Sequence, residues 1–429
     1  MPSPFTQIAR HCYSDSIGAA GVDPAVVDAD RARAARRLSD LKESLGRDAR
    51  FDCLAAASWR DDLPSLELIA RRFAGLDDVL LVGIGGSALG ARTLGAVAPG
   101  GSKRCRLHVL DNLQAGRLES LLGSLDARRT GVLLVSKSGS TAEVLSQALV
   151  ILPHLAARGG APDLAQRVVG IAVPGDNPLR QLAAVWGFDV LDHPVDVAGR
   201  YSVFTLVGML PAMIMGLDPA AVRRGGAAAL EDPLMPAVEG AALMAAFHRR
   251  NTRIAVNLAY DERLVLFTQW HAQLWAESLG KAGQGMTPVA ALGPLDQHSQ
   301  LQLYLDGPPD KVFTVYVSRS AGVGQPLARD QIDGIESLSY LAGRTIGDIV
   351  AASARATTET LVAHGRPVRL LLLPHIDGEM LGALFMHFML ETVLTADLMG
   401  VDPFDQPAVD EGKVRARDYL RSGRVAIEP

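Results

Sequence analysis

From Asp78 onward, short runs of β-branched and other apolar residues alternate with longer stretches whose apolar positions recur at helical spacing. The runs Val79 to Ile84, Leu107 to Leu110, Val132 to Val135 and Val168 to Val173 are each followed by Gly, Ser or Asp. That alternation predicts a parallel sheet wrapped by helices. A second series, Ile254 to Leu258, Val312 to Val317 and Val368 to Leu373, predicts a second α/β unit. Before Asp78, Ala, Leu, Val and Ile stand at helix-like spacing amid charges, which predicts a helical preamble. The Ala-, Gly- and Pro-rich stretch Ala220 to Glu239 is the expected joint between the two units. A long apolar helix is expected over Leu381 to Leu398, then a turn and a final helix from Asp402 to Pro429. The pattern thus divides the chain into a helical segment (1–75), a first α/β domain (76–220), a second (221–400) and a C-terminal tail (401–429).

Composition narrows the class. With 429 residues, 48% of them hydrophobic and 21% charged, the chain has ample material for two cores and reads as a soluble α/β enzyme. A net charge of −5, with no basic run, disfavours a nucleic-acid partner. Cys12, Cys53 and Cys105 are widely spaced and form neither a disulfide framework nor a metal-ligand pattern. Met1 to Tyr13 contains Arg10 and His11 but no apolar stretch of signal-peptide length. Apolar runs such as Leu206 to Leu217 fall short of the ~20 residues of a membrane span. A cytoplasmic protein without membrane attachment is the expectation.

Two loops carry candidate chemistry. Gly83-Ile84-Gly85-Gly86-Ser87-Ala88, between the Val79 strand and a helix through Leu89, would let backbone N–H groups approach an anionic or polyhydroxy ligand. It also fits the loose G-x-G-x-x-A pattern of dinucleotide folds, with Asp111 where a ribose-binding acid could sit, and it fits a purely structural turn. Ser136-Lys137-Ser138-Gly139-Ser140-Thr141 then follows the Val132 strand and opens a helix. Four hydroxyls, a lysine and a helix N-terminus suit a phosphate, and the loop lacks the spacing of a nucleotide P-loop. The alternative is a hydroxyl N-cap without a ligand.

These two loops resemble the sugar and phosphate loops of the glucose-6-phosphate isomerase family. Four further segments resemble that family's motifs in order: Gly199-Arg200-Tyr201-Ser202, Gln273 to Lys281 with Glu277, Gly293 to Gln300 with His298, and Pro403-Phe404-Asp405-Gln406-Pro407 followed by Gly412-Lys413. The resemblance implies two three-layer αβα sugar-isomerase domains and conversion of glucose 6-phosphate to fructose 6-phosphate through a cis-enediol. No cofactor and no metal enter that reaction. Glu277 would be the base that reaches both carbons, Arg200 the cation facing the enediolate, and His298 with Lys413 the ring-opening pair. Gly86, Ser87, Ser136, Lys137, Ser138, Thr141, Gln273 and Gln406 would bind the sugar phosphate. It further implies a homodimer, with the His298 loop offered to the neighbouring site. A sugar-phosphate-sensing regulator, and an isomerase that also takes mannose 6-phosphate, are the alternatives.

Only six of the 42 basic residues are lysine, and Lys137, Lys281 and Lys413 all fall in matched segments. A compact ammonium is expected at these positions, ligand-facing at Lys137 and Lys413 and structural at Lys281. The sequence departs from the family at Ala88 and Ala198, which bears on loop detail. It departs again at His387-Phe388-Met389-Leu390-Glu391, which bears on subunit contacts.

Overall fold

The computed structural model describes residues 3–99, 105–328, 330 and 334–426. Its strands are β1 (Thr6–Ile8), β2 (Asp78–Val82), β3 (Arg106–Leu110), β4 (Thr130–Val135), β5 (Val168–Ala172), β6 (Asp189–Asp192), β7 (Ile254–Ala259), β8 (Thr287–Leu292), β9 (Lys311–Ser318) and β10 (Val368–Leu373). They form two five-stranded sheets, ordered β3-β2-β4-β5-β6 and β1-β10-β9-β7-β8. Every pairing in the first sheet is parallel. In the second, β1 pairs antiparallel with β10 and the rest are parallel. The helical preamble therefore also supplies an edge strand to the distant second sheet.

Each sheet is covered on both faces. Along β2 and β4, Val79, Leu81, Leu133 and Val135 face one core, while Leu80, Val82, Val132 and Leu134 face another with Val144, Ile151 and Leu155 of the helix Ala142–Gly159. Side chains of a strand alternate between faces, so both sets must be apolar, which is why these segments read as unbroken runs. The first core continues across to Tyr316, Leu371 and Leu373 of the second sheet. The two sheets thus share one hydrophobic interior, whose middle is the buried helix Gly378–Met399. That helix is long and apolar enough to cross a membrane, but 94% of its apolar window is buried inside the fold.

The stretch expected to be a joint runs between β6 and β7 as a close helix crossing. It forms the helices Pro219–Leu230 and Pro236–Arg249. A Cβ at Gly225 would lie 1.7 Å from the Glu379 carbonyl oxygen, and one at Gly382 would lie 1.9 Å from that of Val222. The glycines serve backbone-to-backbone contact rather than flexibility. Arg223, buried beside them, donates to both Asp62 oxygens at 2.6 and 2.7 Å and so ties this crossing to the N-terminal helices.

The departure at His387 to Glu391 also lies inside rather than at a surface. Arg369 on β10 donates in bidentate fashion to Glu391 at 2.6 and 3.0 Å, and both side chains are 1% exposed. Gly240 opposes the pair, because a Cβ there would lie 2.1 Å from Glu391 Oε2. Burial alone would push the Glu391 carboxyl up, but Arg369 and His387 outweigh it and hold it well below the usual carboxylate range. A depressed carboxylate contributes stability above its unfolded pKa and loses that contribution as the pH falls. Glu391→Ala is expected to cost about 3–5 kcal/mol at neutral pH, since it strands a buried guanidinium. The gap to the native chain should narrow below about pH 5. Urea unfolding at several pH values measures both effects, and an equally stable variant would contradict this account of the pair.

Candidate active site

The loops after β2 and β4 leave the carboxyl ends of adjacent parallel strands, where an open α/β sheet presents its ligand crevice. After β2, Gly85 to Ser87 form one turn of 3-10 helix before the helix Leu89–Gly95. Gly85 has φ +58, and a Cβ there would meet Gln273 Nε2 at 2.7 Å. A Cβ on Gly86 would fall 2.2 Å from the Gly199 carbonyl carbon. Glycine at these two places lets the loop lie directly against the Arg200 turn and the helix Val265–Leu279. Ser202 Oγ spans this contact, donating to the Gly199 carbonyl at 2.7 Å within its own turn and to the Gly86 carbonyl across it at 3.4 Å.

The loop after β4 is held from within. Ser136, 1% exposed, shares a hydrogen bond with Thr141 Oγ1 at 2.8 Å, closing the loop across its base. Gly139 has φ +66 and sits so close to Asn177 that a Cβ would lie 2.0 Å from its Oδ1. Asn177 is fixed in turn, donating to the Val173 carbonyl and accepting from the Arg180 amide. Thr141 takes the N-cap position of the following helix but makes no side-chain cap bond. Thr141 thus does not cap the helix, and the Ser136 and Ser138 hydroxyls instead accept from the Thr141 and Ser140 amides just ahead of it, at 3.4 and 3.2 Å. Lys137 is half-buried. Burial pulls its pKa below the ordinary lysine range, with Asp196 opposing and Arg200 reinforcing that shift. Behind it, His193 is buried, a state that lowers its pKa to about 4 and keeps the imidazole neutral.

Glu277 lies on the helix Val265–Leu279 with its side chain 28% exposed. Gln273, one turn earlier, donates to Oε1 at 2.9 Å, and Arg200 donates to Oε2 at 3.3 Å. Arg200 itself is 1% exposed. Its other donors reach Ser278 Oγ at 2.9 Å, Gln406 Oε1, and the carbonyls of Pro403 and Asp405 at 2.6 and 2.9 Å. The segment carrying Gln406 is pinned twice more. Lys281 pairs with Asp405 at 2.6 Å, and Phe404 packs on Tyr201 and Phe51 with ring centroids 5.4 and 5.9 Å apart. Lys281 is thus a clamp.

Gly86, Gln273, Glu277, Arg200 and Gln406 are joined by direct contacts, with Ser87 in the same turn as Gly86. Lys137, Ser138 and Thr141 line the neighbouring loop, whereas Ser136 is turned inward to brace it. His298 and Lys413 do not join this group. His298 is exposed on the turn after β8, where neighbouring Asp296 accepts from Leu292, Ser299 and Gln300. Lys413, with its side chain 63% exposed on the helix Asp410–Ser422, pairs with Asp410 at 3.0 Å. Asp111, which a dinucleotide would need, is paired with Arg92 at 2.8 Å. Two supporting residues, Ser278 and Asn177, escape motif reasoning. Ser278 stands inside a matched segment with no signal of its own, and Asn177 announces itself only as the N-cap before Pro178.

Two helix-covered sheets with glycine- and serine-rich loops converging on one carboxylate define the phosphosugar-isomerase fold. A glucose-6-phosphate isomerase from Chlamydia trachomatis shares it, with a TM-score of 0.77 at 18% identity over 99% of this chain and 89% of that one. A Thermus thermophilus protein, solved as a hypothetical protein, superposes with a TM-score of 0.85 at 32% identity, covering 97% and 99% of the two chains. In sequence, a glucose-6-phosphate isomerase from Rubrobacter xylanophilus is 38% identical over 381 residues, 84% of this chain and 86% of the relative. The family model described as phosphoglucose isomerase matches residues 56–290. The chain belongs to the phosphoglucose isomerase family.

The packing at Gly139 makes the role of its loop testable. Gly139→Ala introduces both a positive-φ penalty and a clash with Asn177, so the loop must move. Binding of inorganic phosphate, followed by calorimetry, should weaken by about tenfold or more, the loss expected when roughly 1.4 kcal/mol of contact is removed. Unchanged affinity would place the anion elsewhere.

Proposed function

We propose that the protein is a glucose-6-phosphate isomerase. It interconverts glucose 6-phosphate and fructose 6-phosphate in glycolysis and gluconeogenesis, acting in the cytoplasm without metal or nucleotide. The observation that carries this reading is the Glu277 carboxylate, held between a neutral donor, Gln273, and a buried cation, Arg200. Moving a carbonyl between adjacent carbons requires one base that removes a proton from the first and returns it to the second. A carboxylate fixed at one oxygen by Gln273 can swing its proton between two neighbouring atoms without leaving its place. Charge that builds on the enediolate oxygens is stabilised by a cation already in position. The phosphate, held by Lys137, Ser138, Thr141 and the amides that open the helix Ala142–Gly159, anchors the far end of the substrate. His298 and Lys413 open the sugar ring before the proton transfer.

The exposed position of His298 supports a homodimer in which each subunit offers this histidine to the other's site. The helix Asp410–Ser422 is exposed along its whole length, and a polar helix of 13 residues gains little stability in water unless something packs on it.

The reaction is tested by a coupled assay with fructose 6-phosphate in the presence of chelator, which should leave activity intact. Glu277→Gln should lower turnover by at least about 10³-fold, as loss of the base requires. Binding of the sugar phosphate should remain close to native. Undiminished turnover in Glu277→Gln would remove the mechanism. Assembly is tested by light scattering at assay concentration, where a mass near twice that of the chain is expected. A fully active monomer would refute the shared site.

A further inference from the structure

We infer that Ser278, whose hydroxyl takes no part in the proposed proton transfer, is a positioning residue that fixes the aim of the Arg200 guanidinium toward Glu277. The inference rests on Glu277 being the base. An arginine has five N–H donors in one plane. In this protein all five are used: Nε on Ser278, Nη1 on Glu277 and Gln406, Nη2 on the Pro403 and Asp405 carbonyls. The contact with Glu277, at 3.3 Å, is the longest of the five and the one that faces the cleft. It is the donor that can be yielded to a substrate oxygen while the other four hold the group still.

Ser278 is suited to that holding. It follows Glu277 on the same helix and is fully buried, so its hydroxyl points into the protein while the Glu277 side chain reaches the cleft. The Arg200 fork spans these two neighbours. It is bolted to the helix that carries the base, and any rotation of the guanidinium about its stem has to break the Nε bond first. The Ser278 hydroxyl is itself oriented by the buried Tyr201 hydroxyl at 3.0 Å. Tyr201 also lies beneath the guanidinium, with its ring centroid 5.4 Å from the Arg200 Cζ. Arg200, Ser278 and Tyr201 form a closed unit, of which only the Nη1 edge meets the reacting groups.

Removing the hydroxyl should therefore loosen the cation without touching the phosphate loop. Ser278→Ala is expected to lower kcat by about 10- to 100-fold, the scale of an ångström-sized misplacement of a catalytic group. KM for fructose 6-phosphate should change by less than about threefold, because the groups that bind the phosphate are untouched. Lysine has no Nε–H to offer, so in an Arg200→Lys background the same serine change should cost less than about twofold. Three results would overturn the inference: a native kcat, a rise in KM matching the fall in kcat, or an equal loss in both backgrounds. If Ser278→Ala does not fold by circular dichroism, Tyr201→Phe decides the matter. It retains the ring and the serine, and should lower kcat severalfold at unchanged KM, while a native kcat counts against the unit. Native activity on fructose 6-phosphate is the reference. Its absence overturns the reaction itself, whereas its presence with an unaffected Ser278→Ala overturns this inference alone.

Discussion

A single buried cation organises the centre of this molecule. Arg200 is withdrawn from water, and a bare guanidinium there would be very costly. The cost is offset because every one of its donors finds an acceptor, and those acceptors come from parts of the chain far apart in sequence. Ser278 and Glu277 belong to a helix of the second sheet's layer, whereas Pro403, Asp405 and Gln406 belong to the C-terminal segment. The turn bearing Arg200 is itself pressed against the Gly86 loop of the first sheet. Folding cannot satisfy this residue halfway. Either all three regions are in place or a charged group is stranded, so the constraint that assembles the cleft also aligns the groups within it.

The same logic of close approach recurs wherever loops meet. Gly86 against Gly199, Gly85 against Gln273 and Gly139 against Asn177 are contacts that a single methyl group would open. Their effect is to place a carboxylate, a guanidinium and a half-buried ammonium around one crevice while leaving the start of the helix Ala142–Gly159 free of side-chain caps. A helix start of this kind has unsatisfied N–H groups and a partial positive charge. With Lys137 beside it, the end of the crevice proposed to hold the phosphate is built from positive potential, and the proposed reacting end is built around the Glu277 carboxylate.

Much of this could be read from the sequence because it is local. The inner strands are buried on both faces, so they appear as apolar runs whatever surrounds them, and β2, β4, β5, β7, β9 and β10 were all visible in that way. Strands that escaped have weaker signatures. β1 has three residues, β6 begins and ends in aspartate, and β8 contains Pro288; all three lie at sheet edges, where the demand for unbroken apolar sequence is relaxed. At Gly225 and Gly226 glycine alone did not tell a loop from a close helix crossing, because both call for the same residue. In the site, loop chemistry was legible from residue type and order, and scarcity singled out Lys137, Lys281 and Lys413, of which the structure brings the first two to the crevice and its clamp. Which hydroxyl supports which charge was not legible. Ser136 and Ser278 are both buried serines, and only their partners, Thr141 and Arg200, separate them from Ser138 on the loop surface.

The contrast between Glu277 and the two ring-opening candidates has a physical basis. Proton transfer between adjacent carbons tolerates little displacement, and the groups proposed for it, Glu277 and Arg200, sit on a helix and a turn locked by buried bonds. Ring opening asks only for an acid and a base near one oxygen, and His298 and Lys413 stand on exposed elements that this chain alone leaves uncovered. The C-terminal segment joins the two regimes. Its first residues are fixed by Arg200, Lys281 and the Phe51 and Tyr201 rings, and within seven residues of Gln406 it reaches Lys413 on an uncovered helix. Rigid docking at Gln406 limits how far Lys413 can stray from the crevice. A short tether thus keeps Lys413 near the site at which we propose it acts, even where no packing holds it there.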